Sequence, residues 1–219
     1  MRVALLALHF AEYSASLARA LAQQHQVLLI LSERNVRGEL GDLRVLEGLP
    51  RLQVLVLPHR ISIPLLLANI VRIARALRRF KPEVIHCQEE LKDYLIGALP
   101  LMPRAPFVLT VHDPRPHAGS DERRMNWSRF ALYERWLRRK ADHVVVHGQV
   151  LARAAAEVMP RLVGRIHVIP HGPLGELSDE PVHANWTPGH CLFFGRMEAY
   201  KGLRYFVEAI RLLRSEGRP

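Results

Sequence analysis

The chain has 219 residues, of which 49% are hydrophobic and 24% are charged. This balance is that of a folded globular protein and excludes a disordered or fibrous one. The length suits one well-packed domain with some residues left over, but not two complete domains. The net charge of +10 favours anionic partners such as nucleotide phosphates, acidic lipid headgroups or nucleic acid, without choosing among them.

The N-terminal apolar run predicts a first strand rather than a signal peptide, because it is short and Glu12 follows it without a cleavage site. The longest apolar stretch, residues 61–71, is interrupted by Pro64 and Asn69 and is too short to cross a bilayer. Cys87 and Cys191 lie at the ends of predicted strands, with no metal or disulfide spacing around them. They indicate reduced thiols and a cytoplasmic protein.

Short apolar runs alternate with segments of helical periodicity, which predicts stacked βαβ units and a doubly wound, mainly parallel α/β sheet. The predicted strands are residues 2–8, 26–32, 52–57, 83–87, 106–111, 143–147 and 165–169. The predicted helices are residues 13–24, 64–80, 89–99, 126–140 and 149–158. Almost continuously hydrophobic strands are typical of a sheet covered by helices on both faces. Residues 1–172 are therefore expected to form one doubly wound domain.

The composition changes after this domain. Residues 173–189 are rich in proline, glycine and polar side chains, which predicts a linker. The run C-L-F-F-G then predicts a new strand, and residues 203–213 predict a helix with Phe206, Ile210 and Leu213 on one face. One strand and one helix cannot bury a core. Residues 190–219 are therefore expected to be the start of a second, truncated domain.

Ligands of open α/β sheets bind outside the carboxyl ends of the strands, so the residues after each strand are candidates for a site. The first strand is followed by H-F-A-E-Y-S-A-S, which lacks the G-x-G-x-x-G of a dinucleotide-binding domain and argues against a nicotinamide or flavin dehydrogenase. His9 and Ser14 are candidates for a ligand contact there, and a solvated turn is the alternative.

The fifth strand is followed by H-D-P-R-P-H-A-G. His112 is a candidate for a hydrogen bond to a sugar hydroxyl or to a developing charge, with Asp113 orienting it. The alternative is a buried structural histidine beside a turn-capping aspartate. His112 and His117 lack a third ligand at metal spacing, so no metal and no cofactor are expected.

The seventh strand is followed by His171 and Gly172, which are candidates for the cleft or for a purely structural turn. Gly195, Arg196 and Lys201 follow the predicted strand C-L-F-F and precede a helix. This combination favours the binding of a diphosphate. The glycine lets the backbone approach a ligand closely, the forked guanidinium and the compact ammonium supply positive charge, and the helix N-terminus adds free N–H groups. The alternative is a solvated strand end and an ordinary helix start.

In this order the segments resemble the retaining glycosyltransferases of family 4, which have the GT-B fold of two Rossmann-like domains. The resemblance rests on F-V-L-T-V-H-D-P, E-R-W-L-R-R-K-A-D-H-V-V-V-H-G, V-I-P-H-G and F-F-G-R-M-E-A-Y-K-G-L-R-Y-F-V-E-A-I. It implies that Arg196 and Lys201 bind the donor diphosphate and that His112 lies near the transferred sugar. It also implies an acceptor-side domain (1–172), a linker (173–189) and the start of the donor-binding domain (190–219).

Two features depart from the family. The loop from His9 to Ser14 contains no glycine, whereas many members have a glycine-rich loop there. The two glutamates that the family places further along, against the donor sugar and ribose, do not occur before Pro219. The resemblance implies an enzyme that transfers a sugar from a nucleotide diphosphate donor to an acceptor hydroxyl. It also implies that these 219 residues are a fragment that is inactive by itself. A nucleotide-sugar epimerase of the same fold and an inactive binding module are the alternatives, and no nucleic-acid motif is present.

The predicted helix at residues 64–80 has an apolar face and a basic face. The apolar residues on one side are Leu66, Ile70, Ile73, Leu77 and Phe80, and the basic residues on the other are Arg72, Arg75, Arg78 and Arg79. A solvated surface helix explains this pattern. The alternative is peripheral contact with an anionic membrane at its cytoplasmic face, which fits a lipid-linked acceptor.

Overall fold

A computed structural model describes residues 1–59, 62–89, 92–115, 129–172, 174, 191–194 and 201–217. Seven parallel strands form one sheet in the order β3-β2-β1-β4-β5-β6-β7. The strands are β1 (Arg2–Ala7), β2 (Gln26–Ser32), β3 (Leu52–Leu57), β4 (Val84–Gln88), β5 (Phe107–Thr110), β6 (His143–Val146) and β7 (Ile166–Val168). The predicted doubly wound α/β fold is confirmed, and the chain order reverses between β1 and β4.

Helices connect the strands. They are α1 (Ala11–Ala22), α2 (Ile63–Phe80), α3 (Asp93–Ala98), α4 (Arg129–Lys140), α5 (Gln149–Val158) and α6 (Leu203–Ser215). Shorter helical turns occur at Glu33–Asn35, Val36–Leu40, Arg44–Leu46, Leu99–Leu101 and Pro160–Leu162. Within the described ranges, no helix combines the length and the apolarity needed to cross a membrane.

Alternate residues of the central strands supply two separate cores, because successive side chains of a strand point to opposite faces of the sheet. In β1, Val3 and Leu5 pack on the face covered by α1, whose buried residues are mostly alanines. Ala4 and Leu6 pack on the other face with side chains of α2, α3, α4 and α5. Because helices cover both faces, the central strands read as continuous hydrophobic runs.

The amphipathic pattern predicted for α2 is confirmed. Ile73 and Leu77 are fully buried, whereas Arg75 and Arg79 are exposed. The helix ends where Lys81 adopts a left-handed conformation and its N–H bonds the carbonyl of Leu77 at 2.9 Å. This is a common way to satisfy a free carbonyl at a helix C-terminus.

Two predictions about secondary structure are wrong. Cys191–Phe194 form no strand: the segment pairs with no strand of the described sheet, and Leu192 and Phe194 are each 90% exposed. A strand requires a neighbour for its backbone hydrogen bonds, which an apolar run alone does not supply. The helix predicted at residues 89–99 is shorter in the structure. The backbone N–H of Glu89 donates to the Thr110 carbonyl beside the sheet, and a short 3-10 turn replaces the α-helix after Ala98. Residues 175–190, most of the predicted linker, lie outside the described residues.

Candidate functional site

The carboxyl ends of β1 and β4 meet where the chain order reverses. Such a switch point is the usual ligand position in open α/β sheets, because the connections on its two sides diverge and leave a crevice. His9 and Phe10 follow β1, Gln88 ends β4 and His112 lies two residues after β5. The fold thus brings side chains from distant parts of the sequence to one edge of the sheet.

Five aromatic rings are in contact at this edge, and we call them the histidine wall: Phe10, Tyr13, His112, His147 and His171. The ring centroids of Phe10 and His112 are 4.0 Å apart, and those of His112 and His147 are 4.9 Å apart. His171 lies 5.0 Å from His147 and 4.6 Å from Tyr13. The wall runs from the β1 loop to the end of β7.

His112 is held in one orientation by a side chain that the sequence pattern did not identify. Its Nε2 lies 3.0 Å from Oε1 of Gln88, which is 2% exposed. Because an amide oxygen only accepts, His112 donates from Nε2. Burial, and then the neighbouring imidazoles, lower the pKa of His112 to about 4. His112 is therefore a neutral imidazole near pH 7, with its lone pair on Nδ1.

The other two histidines of the wall also donate to fixed acceptors. His147 Nδ1 lies 3.0 Å from the carbonyl oxygen of Ile169, and His171 Nδ1 lies 2.6 Å from that of Gly172. Each backbone carbonyl accepts from Nδ1, so in the neutral ring Nε2 carries the lone pair. The Nε2 atom of His147 is buried and has no hydrogen-bond partner among the described residues.

Phe10 has a left-handed backbone, with φ 57° and ψ 51°. This conformation is costly for a residue with a side chain and is usually adopted by glycine. It turns the chain from β1 into α1 and stacks Phe10 between His9, at 4.2 Å, and His112. The β1 loop therefore makes its left-handed turn without a glycine.

A largely buried ion pair supports the loop that carries His112. Arg138 of α4 contacts the Glu89 carboxylate at 2.7 and 3.2 Å, and its Nη1 donates to the carbonyl of Pro114 at 3.0 Å. Only 11% and 12% of the two charged side chains are exposed. This pair ties the end of β4, the loop after β5 and helix α4 together.

The predicted site residues have different surroundings. His9, His112 and His171 belong to or adjoin the histidine wall, whereas Ser14 is 1% exposed within α1. The hydroxyl of Ser14 has no hydrogen-bond partner among the described residues. Asp113 is exposed, and its backbone oxygen is 3.5 Å from Nη2 of Arg138.

The predicted diphosphate site is described only in part. Lys201 is exposed and precedes Gly202, the N-cap of α6. Gly195 and Arg196 lie outside the described residues, as does His117. Gly172 is exposed and its φ is not in the left-handed region, so this turn does not depend on glycine. Within the described ranges, no three His, Cys, Asp or Glu side chains are grouped so as to hold a metal ion.

Four residues of the site were not identified from the sequence: Phe10, Tyr13, Gln88 and His147. The predicted sixth strand included His147, but β6 ends at Val146, which makes His147 the first residue after a strand. Gln88 directly follows the predicted fourth strand, and Phe10 and Tyr13 lie in the segment after the first strand, but no sequence pattern marks these side chains as site residues. Examining every strand end with a tolerance of one residue would have found His147 and Gln88.

Comparisons with known proteins identify the relatives of this domain. The family model described as Glycosyltransferase Family 4 matches residues 11–172. No curated protein sequence matches the chain.

Solved structures share the fold at low sequence identity. The UDP-N-acetylglucosamine 2-epimerase from Rickettsia bellii has a TM-score of 0.50 at 11% identity, over 75% of this chain and 48% of that one. The UDP-GlcNAc 2-epimerase from Neisseria meningitidis bound to UDP-GlcNAc has a TM-score of 0.50 at 12% identity, over 77% and 45%. A glycosyltransferase from Rickettsia africae has a TM-score of 0.48 at 16% identity, over 77% and 42%. The chain thus spans less than half the length of these structures.

Proposed function

The chain belongs to Glycosyltransferase Family 4, and from this membership we propose that it supplies the acceptor-side domain of a nucleotide-sugar-dependent glycosyltransferase of the GT-B type. The enzyme moves a hexosyl group from a nucleotide diphosphate donor to an acceptor hydroxyl, with retention of the anomeric configuration. The observation that carries the proposal is the family match over 11–172, which includes six of the seven strands of the sheet and four of the five rings of the histidine wall. Since the chain spans less than half the length of the solved structures, the activity is proposed for a protein in which a second domain completes the cleft.

In the proposed reaction the diphosphate departs while the sugar becomes cation-like. Arg196 and Lys201 are the proposed ligands of the diphosphate, and their fixed positive charges would stabilise the departing oxygens more in the transition state than in the ground state. Fixed cations can perform this role, so we propose that no metal ion is required. His112, as a neutral imidazole, faces the reacting sugar with a hydrogen-bond acceptor, and Asp113 is a second proposed polar contact at this position.

The proposed domain organisation follows the sequence: residues 1–172 form the acceptor-side domain, residues 173–189 link the domains and residues 190–219 begin the donor-binding domain. Closure of the cleft by hinge motion in the linker would exclude water from the donor. His9, Ser14, His171 and Gly172 are the proposed acceptor-side or cleft residues.

The experiment is a product analysis with the protein extended beyond Pro219. It is incubated with a nucleotide diphosphate sugar and a panel of acceptor sugars, and the products are separated and identified by NMR. Formation of a glycoside with the donor's anomeric configuration supports the proposal. The Arg196→Ala variant should lose at least 100-fold in turnover, because one fixed contact to a developing charge is worth roughly 3 kcal/mol. Near-normal turnover by this variant would contradict the role of Arg196.

A nucleotide-sugar epimerase is the second candidate, because the solved structures of TM-score 0.50 reported above are UDP-GlcNAc 2-epimerases. An epimerase would give free nucleotide and an epimerised sugar, and no glycoside in the presence of acceptor. The same product analysis therefore separates the two functions.

We further propose that the acceptor is presented at an anionic membrane surface and that the enzyme acts at its cytoplasmic face. Four arginines of α2, namely Arg72, Arg75, Arg78 and Arg79, are exposed. Three apolar residues of the same helix, Ile63, Leu67 and Val71, are 74%, 56% and 44% exposed. Because these residues are four positions apart, they lie in one stripe along the helix. The stripe adjoins the exposed arginines where Val71 and Arg78 lie on the same side of the helix. An exposed apolar stripe beside a basic one is the pattern of helices that lie in a membrane interface.

A further inference from the structure

Three imidazoles of the histidine wall have their N–H groups engaged inside the protein. His112 donates to Gln88, and His147 and His171 donate to backbone carbonyls. The remaining ring nitrogens are Nδ1 of His112, Nε2 of His147 and Nε2 of His171. Each is a hydrogen-bond acceptor in the neutral ring. Nε2 of His147 is buried and has no hydrogen-bond partner among the described residues. In their neutral forms the three imidazoles therefore present lone pairs and no N–H group to a ligand, and the phenol of Tyr13 is the hydrogen-bond donor that the wall retains.

We infer that the histidine wall binds the hydroxyl groups of a neutral ligand, with Nε2 of His147 as the central hydrogen-bond acceptor. The inference rests on the proposed function and names the substrate class for this site: an acceptor molecule whose recognised part is uncharged and hydroxylated. His147 is then a specificity-determining residue, and Tyr13 and His171 flank the same site.

A hydroxylated ligand fits the wall because it can donate hydrogen bonds. A phosphate or carboxylate offers mainly hydrogen-bond acceptors, so it gains no hydrogen bond from the lone pairs of neutral imidazoles. Among the described contacts of the five rings there is no arginine or lysine that could compensate. Aromatic rings also supply apolar surface, and binding sites for small molecules combine such surface with a few placed polar groups.

The state of His147 explains why this residue is central. A buried acceptor without a partner is unfavourable, and a ligand hydroxyl would remove that cost. Tyr13 and His171 both contact the ring of His147, and His171 is exposed. We therefore expect the exposed His171 ring to move when a ligand hydroxyl reaches Nε2 of His147.

The test uses NMR of the 219-residue chain labelled with ¹⁵N-histidine, at pH 7.5. Long-range ¹H–¹⁵N spectra report which ring nitrogen carries the proton. The probes are the methyl glycosides of glucose, galactose and mannose, and inorganic pyrophosphate. We expect His147 to be protonated on Nδ1 before addition, and its Nε2 resonance to shift on addition of at least one glycoside. Pyrophosphate should leave the wall unchanged.

Matched variants connect the shift to His147. In His147→Asn the side-chain amide keeps an N–H for the Ile169 carbonyl but loses the Nε2 acceptor, so glycoside affinity should fall about fivefold. His143→Asn, at the opposite end of β6, is the control and should bind normally. If His147→Asn fails to fold, His171→Phe keeps an exposed ring without its lone pair and should show a similar loss.

Three results would overturn the inference: no response of the ring nitrogens to any glycoside, a response of the same nitrogens to pyrophosphate, or normal glycoside affinity in a folded His147→Asn or His171→Phe variant. None of these measurements involves sugar transfer. If the extended protein forms no glycoside while the chain still gives the expected shifts, the proposed function fails and the binding site stands.

Discussion

Arg138 and Glu89 form a two-point ion pair, with Nε 2.7 Å from Oε1 and Nη2 3.2 Å from Oε2. The same guanidinium donates to the Pro114 carbonyl. One side chain of α4 thus fixes both the end of β4, next to Gln88, and the loop that follows His112. We therefore expect the pair to help position His112, although neither charged residue touches the histidine wall in the described contacts.

Replacement of Arg138 by alanine should destabilise the fold strongly. It would leave Glu89 largely buried without its counter-charge, and breaking a buried pair from one side costs about 3–5 kcal/mol. Burial already raises the pKa of Glu89 above its ordinary value, so part of this cost would be relieved by protonation of the carboxyl. Urea unfolding at pH 7.5 measures the change.

Arg139→Ala is the matched control, because Arg139 is exposed on the same helix; its effect should stay within roughly 0.5 kcal/mol. Arg138→Lys should fall between the two, because an ammonium cannot form the two-point pair. Equal stability of the Arg138 and Arg139 alanine variants would show that the buried pair does not hold the loop.

The left-handed backbone at Phe10 gives a second prediction. Phe10→Gly removes the ring but relieves the backbone cost, whereas Phe10→Ala removes the ring and keeps that cost. The glycine variant should therefore be more stable than the alanine variant by about 1 kcal/mol, although alanine is favoured at most positions. Thermal unfolding of the two variants measures the difference, and a more stable alanine variant would indicate that the loop does not need the left-handed conformation.

The sequence predicted the sheet well and the site only in part, because strands follow from local composition whereas contacts within the site depend on the order of strands in the sheet. Central strands such as β1 and β2 are almost continuously apolar, so their type and position follow from composition. His112 was found because a histidine directly after a predicted strand is conspicuous. The partnership of His112 with Gln88 was not predictable, because it joins residues 24 positions apart through the sheet order. The predicted strand at Cys191–Phe194 failed for the same reason, since its formation depends on a neighbouring strand rather than on its own residues.

The burial of His86 leads us to expect a loss of folding stability in mild acid. Burial lowers its pKa to about 4, whereas an unfolded chain has an ordinary value of about 6.5. Because the unfolded state takes up the proton first, stability is complete above about pH 6.5 and decreases as the pH falls towards 4. His86 should contribute a loss of about 2 kcal/mol between pH 7.5 and pH 5. The pKa of His112 is lowered in the same direction, to about 4, and adds to the loss.

His86→Gln isolates this effect, because its amide nitrogen can keep the 2.7 Å contact that Nε2 makes with Thr110 Oγ1. Urea unfolding at pH 7.5 and pH 5 should show a smaller difference for this variant than for the unmodified chain. His25→Gln, in the turn after α1, should leave the difference unchanged. An undiminished acid loss in His86→Gln would assign the pH dependence to other groups.

Gln88 should control the protonation of His112. In Gln88→Glu a carboxylate replaces the amide oxygen 3.0 Å from Nε2, and a neighbouring negative charge favours the imidazolium form. The pKa of His112 should therefore rise from about 4 by roughly one unit or more. A pH titration of the histidine ring by NMR measures it, with Gln88→Met as the uncharged control. An unchanged pKa in Gln88→Glu would mean that this contact is not maintained in solution.

The exposed face of α2 should bind anionic vesicles in a salt-dependent way. The triple variant Arg75→Gln, Arg78→Gln, Arg79→Gln should bind vesicles of phosphatidylglycerol and phosphatidylcholine roughly 100-fold more weakly, since each basic residue near the surface contributes about 1 kcal/mol. The matched control removes three exposed arginines elsewhere, with Arg19, Arg153 and Arg165 changed to glutamine. This control variant has the same net charge as the α2 triple variant. Co-sedimentation at low and at physiological salt therefore separates the effect of a localised basic face from that of the total charge.

The apolar stripe makes the same surface testable without changing its charge. Leu67 is 56% exposed, and Leu67→Gln should weaken vesicle binding several-fold, because an inserted apolar side chain contributes roughly 1 kcal/mol or more. Leu101→Gln, at a residue 39% exposed outside α2, is the control. If the arginine variant loses binding and Leu67→Gln does not, the helix lies on the headgroups by charge alone. If neither variant loses binding relative to its control, α2 is an ordinary solvated helix and the acceptor need not be sought at a membrane.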